Sequence, residues 1–445
     1  MKKNQELTLR CTDLSDLGYG ICHENGMTIF VANLLPEEIA RIKIIKTTKT
    51  YCIGRIVELL QASDQRVEPL CPKAGICGGC TLQHLSRSAQ LSYKQKQLES
   101  LFHHVNPDLN VLPVIASPAP YYYRNKAQFP IGVRDGKIVS GFYRPHSNDI
   151  VDIDQCAIQN PKINEIFGWI KNHLSLKQAE NLRHVFIRFS EQSNQGQVVF
   201  IGRSDEDLKD LSTRLVKTFP DLVSVVFNRN ERDDNVILSD EYEILYGQDW
   251  IEERCLGLKI RLHFKAFFQV NPKGMEILYS KALSLADLKP DDQVVELYSG
   301  TGTIGMLAAR DAQEVIGAEI NPEAAANAQE NARINHIENI QFVCQDATKF
   351  VHSWHGNADV VLVDPPRKGM SAQGISDVAD LHPQRVVYIS CNPRTLARDL
   401  GLFQNKGYIC HQIQPVDMFS QASGVECVAL LEQTDRSCQE AAADD

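Results

Sequence analysis

No stretch of about 18 uninterrupted apolar residues occurs in this 445-residue chain, which argues against a membrane-spanning helix. The opening Met1-Lys-Lys-Asn-Gln-Glu6 lacks the apolar core of a secretory signal, so a cytoplasmic protein is expected. Basic residues are in deficit: 46 Lys and Arg against 56 Asp and Glu give a formal charge of −10. Affinity for phosphate backbones comes mainly from Lys and Arg, so indiscriminate nucleic-acid binding is excluded and any RNA contact must be local. Internal repeats and low-complexity blocks are absent. With 43% hydrophobic and 23% charged residues, most of the chain is not disordered and suffices for two or three domains. Only the acidic end, Gln439-Glu-Ala-Ala-Ala-Asp-Asp445, reads as a solvated tail.

Cysteine, by contrast, is abundant. Thirteen in a cytosolic chain point to metal, catalysis or plain burial rather than disulfides. Cys71, Cys77 and Cys80, spaced C-x5-C-G-G-C, together with the remote Cys156 offer four thiolates. Four suffice for a [4Fe–4S] cluster and equally for tetrahedral zinc, and spacing alone leaves both open.

Three regions are expected. Residues 1–65 alternate apolar and polar positions, with turns at Gly18-Tyr-Gly20 and Asn25-Gly26, and predict a small OB-like β-barrel. Arg41, Lys43, Lys46, Lys49 and Arg55 give this barrel either a basic RNA-facing edge or simply a soluble strand face. Tyr19, between two glycines, suits base stacking or an ordinary turn. Residues 66–262 read as a central α+β domain, entered through a helical pattern over 86–104 that can pack on the following domain. From residue 263 to 445 strands and helices alternate as in a doubly wound parallel sheet, an α/β Rossmann-like domain.

Val294-Val-Glu-Leu-Tyr-Ser-Gly-Thr-Gly-Thr303 runs from a strand through a turn at Gly300 and Gly302 into a helix. Two glycines alone are a weak fingerprint. One strand later Glu319 stands at a strand end, where a carboxylate can bind ribose hydroxyls, and Asp346 ends a third strand, suited to an adenine amine. A nucleoside along the carboxyl edge fits S-adenosylmethionine better than nicotinamide. The fourth strand ends in Asp364-Pro-Pro-Arg-Lys-Gly369, where methyltransferases place a target base; Asp364 can accept a ring N–H. Enzymes that methylate exocyclic amines often carry an aromatic after the second proline, and here Arg367 stands instead.

The fifth strand ends in Ser390-Cys391-Asn-Pro393. C5 of uracil is too weak a nucleophile to attack a methyl donor, but a thiolate added at C6 makes C5 part of an enolate. A helix starting just after Cys391 is expected to favour its thiolate. A base must later remove the C5 proton, and Glu426, a carboxylate within the apolar Val425 to Leu430 run, is the candidate. Competing readings are an exocyclic-amine or 5-methylcytosine methylase, and a non-catalytic RNA-binding protein.

Together these motifs, with Phe267-Phe-Gln-Val-Asn271, resemble the RNA uracil-5-methyltransferase family over nearly the whole chain. The resemblance implies that Gln269, Tyr298, Glu319 and Asp364 line the S-adenosylmethionine site, that Cys391 is the nucleophile and Glu426 the base. It also implies that Cys71, Cys77, Cys80 and Cys156 hold a [4Fe–4S] cluster rather than zinc. The first 65 residues resemble the TRAM module of RNA-modifying enzymes. Barrel and cluster together imply a 23S ribosomal RNA substrate over transfer RNA, with a monomer and no obligate protein partner.

Overall fold

A computed structural model describes residues 1–434; the acidic end anticipated as a solvated tail lies outside the described residues. No described helix is long and apolar enough to cross a membrane.

Between Glu6 and Gln61 six strands share one sheet. Strand Ile39–Thr47 alternates so that Ala40, Ile42 and Ile44 face a core with Leu9, Val31 and the buried thiols Cys11, Cys22 and Cys52. Three of the cysteines are thus small hydrophobes. Outward-facing Arg41 is tied to Glu6 and Glu58 at 3.0 and 2.8 Å, so one cation of the basic strand is already paired. Tyr19 lies 3.4 Å, Oη to Nε2, from His146.

A second sheet of seven strands runs from Lys126–Arg134 to Tyr242–Gly247, with the strand Ile150–Asp152 at its edge. Helices Pro161–His173 and Leu208–Thr218 pack on it around Phe129, Phe167, Ile187 and Phe200. This is the mixed α+β middle.

The third sheet contains β1 (Gln293–Leu297), β2 (Glu314–Glu319), β3 (Ile340–Cys344), β4 (Val360–Val363), β5 (Arg385–Ser390), β6 (Tyr408–Val416) and β7 (Glu426–Gln433). Their order is β3-β2-β1-β4-β5-β7-β6, and a short strand, Asn110–Val111, adds to β6. The first five are parallel, and β7 runs antiparallel between β5 and β6. Neighbouring residues feed opposite cores: Val295 and Leu297 face one, Val294 the other. Burial on both faces explains the near-continuous apolar runs of these strands.

The cores cross the boundary expected at residues 262/263. Hairpin Trp250–His263, assigned from sequence to the middle region, buries Ile251, Leu258, Ile260 and Leu262 against the third sheet's helices. Its alternation announces one buried face but not which sheet covers it. Helix Arg87–His103 also joins this region, through Leu98 and Phe102.

Candidate active site

The sheet order brings the sequence's chemical residues to one edge. Asp346, Glu319, the glycine turn, Asp364 and Cys391 follow or end β3, β2, β1, β4 and β5. Because β7 is antiparallel, its first residue, Glu426, starts at that same edge. Ser390 pairs with Cys427, so Cys391 and Glu426 lie side by side one step beyond. An open α/β sheet binds ligands there because loops, not helices, cover the strand ends.

Gly300 and Gly302 both take left-handed φ, 55° and 75°. A Cβ on Gly302 would collide with the Phe342 ring, whereas one on Gly300 would meet only open space. Before them Tyr298 is itself left-handed (φ 64°), which is why β1 ends one residue earlier than its apolar pattern suggests. Glu319 accepts from the backbone N–H of Gly300 and of Asn321, both at 2.8 Å, so the acid braces the turn. Asp346 caps the helix Ala347–Ser353, accepting from Lys349 N at 3.1 Å. Gln269 is buried, and its neighbour Asn271 both caps the helix Pro272–Ala286 and donates to Met418 O at 3.0 Å.

Sequence reasoning left out Glu296. It is 3% exposed, its Oε2 has no partner, and its carboxyl is pushed up to about 8 by burial, then by Asp364 and Glu319. An acid inside an otherwise apolar parallel strand was the available signal.

Around Cys391 the structure forms a cavity of about 610 Å³, lined by Arg367, Arg394, Arg124, Lys94 and Gly424 among others. Barrel residues Asp16 and Leu17 reach the same cavity, and Arg394 pairs with Asp16 at 2.7 Å. Glu426 is 2% exposed with Oε2 unpartnered. Burial, then Asp364, pushes its carboxyl up to about 8, against the pull of Arg367. Burial also pushes Asp364 up to about 7.

The thiol departs from expectation. Cys391 is raised rather than lowered, by burial first and then by Glu426 and Asp364, with Arg367 opposing. The helix Pro393–Gln404 begins beside it, capped by Asn392: Arg394 N donates to Asn392 Oδ1 and Asn392 N to Ser390 Oγ. Burial of the sulfur, more than the two acids, sets this direction.

Cys71, Cys77, Cys80 and Cys156 line a separate cavity of about 240 Å³ with Arg124 and Lys126. None is in a disulfide. Burial first, then the neighbouring thiols, pushes Cys80 up to about 12; burial likewise raises Cys156 to about 11. Among the described residues no three His, Cys, Asp or Glu side chains converge as ligands of one metal ion would.

Strand order, glycine turn and edge acids define a class I methyltransferase fold. Residues 86–434 match the family model described as tRNA (Uracil-5-)-methyltransferase. The chain is 38% identical to an uncharacterised RNA methyltransferase of Halalkalibacterium halodurans, over 97% of this chain and 98% of that one. It is also 38% identical to one of Clostridium tetani, over 97% of each. Among solved structures, the Pyrococcus abyssi tRNA (uracil-54, C5)-methyltransferase in complex with S-adenosyl-L-homocysteine superposes with a TM-score of 0.75. That likeness covers 96% of this chain and all of the other, at 25% identity. The chain belongs to the tRNA (uracil-5-)-methyltransferase family of RNA methyltransferases.

Proposed function

We propose that this protein methylates C5 of a uracil in 23S ribosomal RNA, using S-adenosylmethionine, a covalent Cys391 adduct and proton removal by Glu426. The observation that carries the reading is the thiol of Cys391 and two carboxyls, Asp364 and the buried Glu426, gathered at one sheet edge. The adjoining cavity falls within the roughly 300–1,000 Å³ usual for ligand sites.

In this reading the Cys391 sulfur bonds to C6 of the uracil, and the C5=C6 electrons move toward O4. S-adenosylmethionine, when bound, supplies the electrophilic methyl group that C5 takes up. Glu426 then takes the proton from C5, the C5=C6 bond re-forms and the sulfur leaves. Glu319, Tyr298, Gln269, Gly300, Gly302 and Asp346 hold the donor, which fits the open space over Gly300 and the braced carboxylate of Glu319. The first 65 residues serve as a TRAM-like RNA-contacting module, supported by Asp16 and Leu17 at the reaction cavity.

Transfer RNA is the second reading, favoured by the Pyrococcus abyssi neighbour that spans the chain. The test is incubation with S-adenosylmethionine and 5-fluorouridine-substituted 23S ribosomal RNA or transfer RNA, because a fluorine at C5 cannot leave as a proton. A denaturation-resistant adduct is expected with the ribosomal RNA. An adduct with transfer RNA alone would move the substrate, and none with either would overturn the reading.

For the four cysteines we propose a [4Fe–4S] cluster with a structural or RNA-positioning role. Four thiols lining one cavity supply the four ligands such a cluster takes, and the family resemblance favours it over zinc, which the same four could hold. Arg124 and Lys126 on the same wall complement the negative charge of four thiolates. Anaerobically purified protein is expected to contain iron and acid-labile sulfide, both lost in Cys80→Ser; zinc in their place would reject the cluster.

A further inference from the structure

The loop Asp417–Val425 joins β6 to β7 and leads directly into Glu426. Its Ser423, Gly424 and Val425 line the reaction cavity. A loop of this kind has no ladder of its own to fix it, so the question is what does.

Lys94, midway along the helix Arg87–His103, has a fully buried side chain. Its ammonium donates three hydrogen bonds, all to this loop: Asp417 Oδ1 at 2.5 Å, Phe419 O at 3.1 Å and Gly424 O at 3.0 Å. An ammonium carries three protons, so its donors are all spent here. The other Asp417 oxygen takes Arg87 at 2.5 Å and Ser420 Oγ at 3.0 Å. Although burial pushes the Asp417 carboxyl up, Lys94 and Arg87 hold it below its ordinary range. The loop is also held on another side: Thr81 and Leu82 N donate to Gln421 O, and Ser423 N to Thr81 Oγ1.

A buried ion pair contributes little net stability compared with apolar residues of the same shape. What this pair does achieve is geometric. Lys94 grips the loop at its first residue and again at Gly424, two residues before Glu426, fixing both ends with one atom.

We propose that Lys94 is a positioning residue for proton removal, holding the loop so that the Glu426 carboxyl meets the C5 proton of the methylated adduct. The inference rests on the reading of Glu426 as the base. Lys94 acts through the loop, so its loss slows elimination of the sulfur more than its addition.

The test uses the full-length protein with Lys94→Met/Asp417→Asn, which removes the pair without stranding the aspartate charge, in single-turnover reactions on ordinary uridine RNA. Addition and methyl transfer are expected within about threefold of wild type, and release of the adduct slowed about tenfold or more. A methylated, denaturation-resistant RNA–protein adduct should therefore accumulate. Equal slowing of both steps, or unchanged release, would overturn the proposal. Should the double variant fail to fold, Lys94→Gln is measured in the same way, and absence of the adduct counts against the proposal. Glu426→Gln separates the two claims. If it accumulates no adduct, the base assignment fails; if it does and the Lys94 variants do not, only the positioning role fails.

Discussion

Cys391→Ala is expected to lower methyl transfer by on the order of 10⁴-fold or more and to form no adduct with 5-fluorouridine RNA, while RNA binding persists. The size follows from the chemistry. Without addition at C6, uracil C5 has too little electron density to displace a methyl group, and no neighbouring side chain supplies a substitute nucleophile. Ser390, the adjacent hydroxyl, donates to Asn392 O and is buried, so it is not positioned to stand in. The measurement is methyl incorporation in parallel with denaturing electrophoresis of the RNA–protein mixture. Ordinary methylation by Cys391→Ala would sink the mechanism and favour amine methylation, in which Asp364 alone would suffice. The raised thiol adds a further expectation about rate. Burial, Glu426 and Asp364 oppose the thiolate, and Arg367 favours it, so Arg367→Met should slow addition without creating a stable adduct.

Much of this edge was legible because the residues that end strands are also the ones that announce turns. Gly300-Thr-Gly302, Asn321-Pro322, Asp364-Pro-Pro366 and Asn392-Pro393 mark where apolar runs stop, and the side chain just before each stop stands at the sheet's edge. The reversed direction of β7 had no such local mark. Its apolar run reads alike in either sense, yet that reversal is what puts Glu426 beside Cys391. Glu296 was visible in the motif but not its burial, which depends on the helix after the glycine turn closing over it. Least legible was Lys94. In a helix with charged and polar neighbours it reads as a surface lysine, and its partner Asp417 lies 323 residues away. The thiol shift shows the same limit: a helix start is local, but the burial that raises the thiol, and the acids from two other strands that add to it, exist only in the assembled fold.

Glu426→Gln should leave addition and methyl transfer working and stop the sequence at the methylated adduct, so that ordinary RNA becomes covalently attached. Glutamine keeps the size and one acceptor but cannot take a proton, and Glu426 is the carboxyl next in line to Cys391 along the edge. Release of the product is expected to fall by about 10²–10⁴-fold, the usual contribution of a positioned base. The pH dependence separates this step from addition. Burial and Asp364 raise Glu426 to about 8, so only the ionised fraction above that value is fully active as a base. In wild type, release of a preformed adduct should rise roughly tenfold per pH unit and level near that pKa. Adduct formation by Glu426→Gln has no such plateau near 8, because that carboxyl is gone and the raised Cys391 thiol titrates higher, so it should keep rising at higher pH. A wild-type release rate that is flat from pH 6 to 9, or a Glu426→Gln protein that turns over normally without trapped RNA, would remove Glu426 as the base.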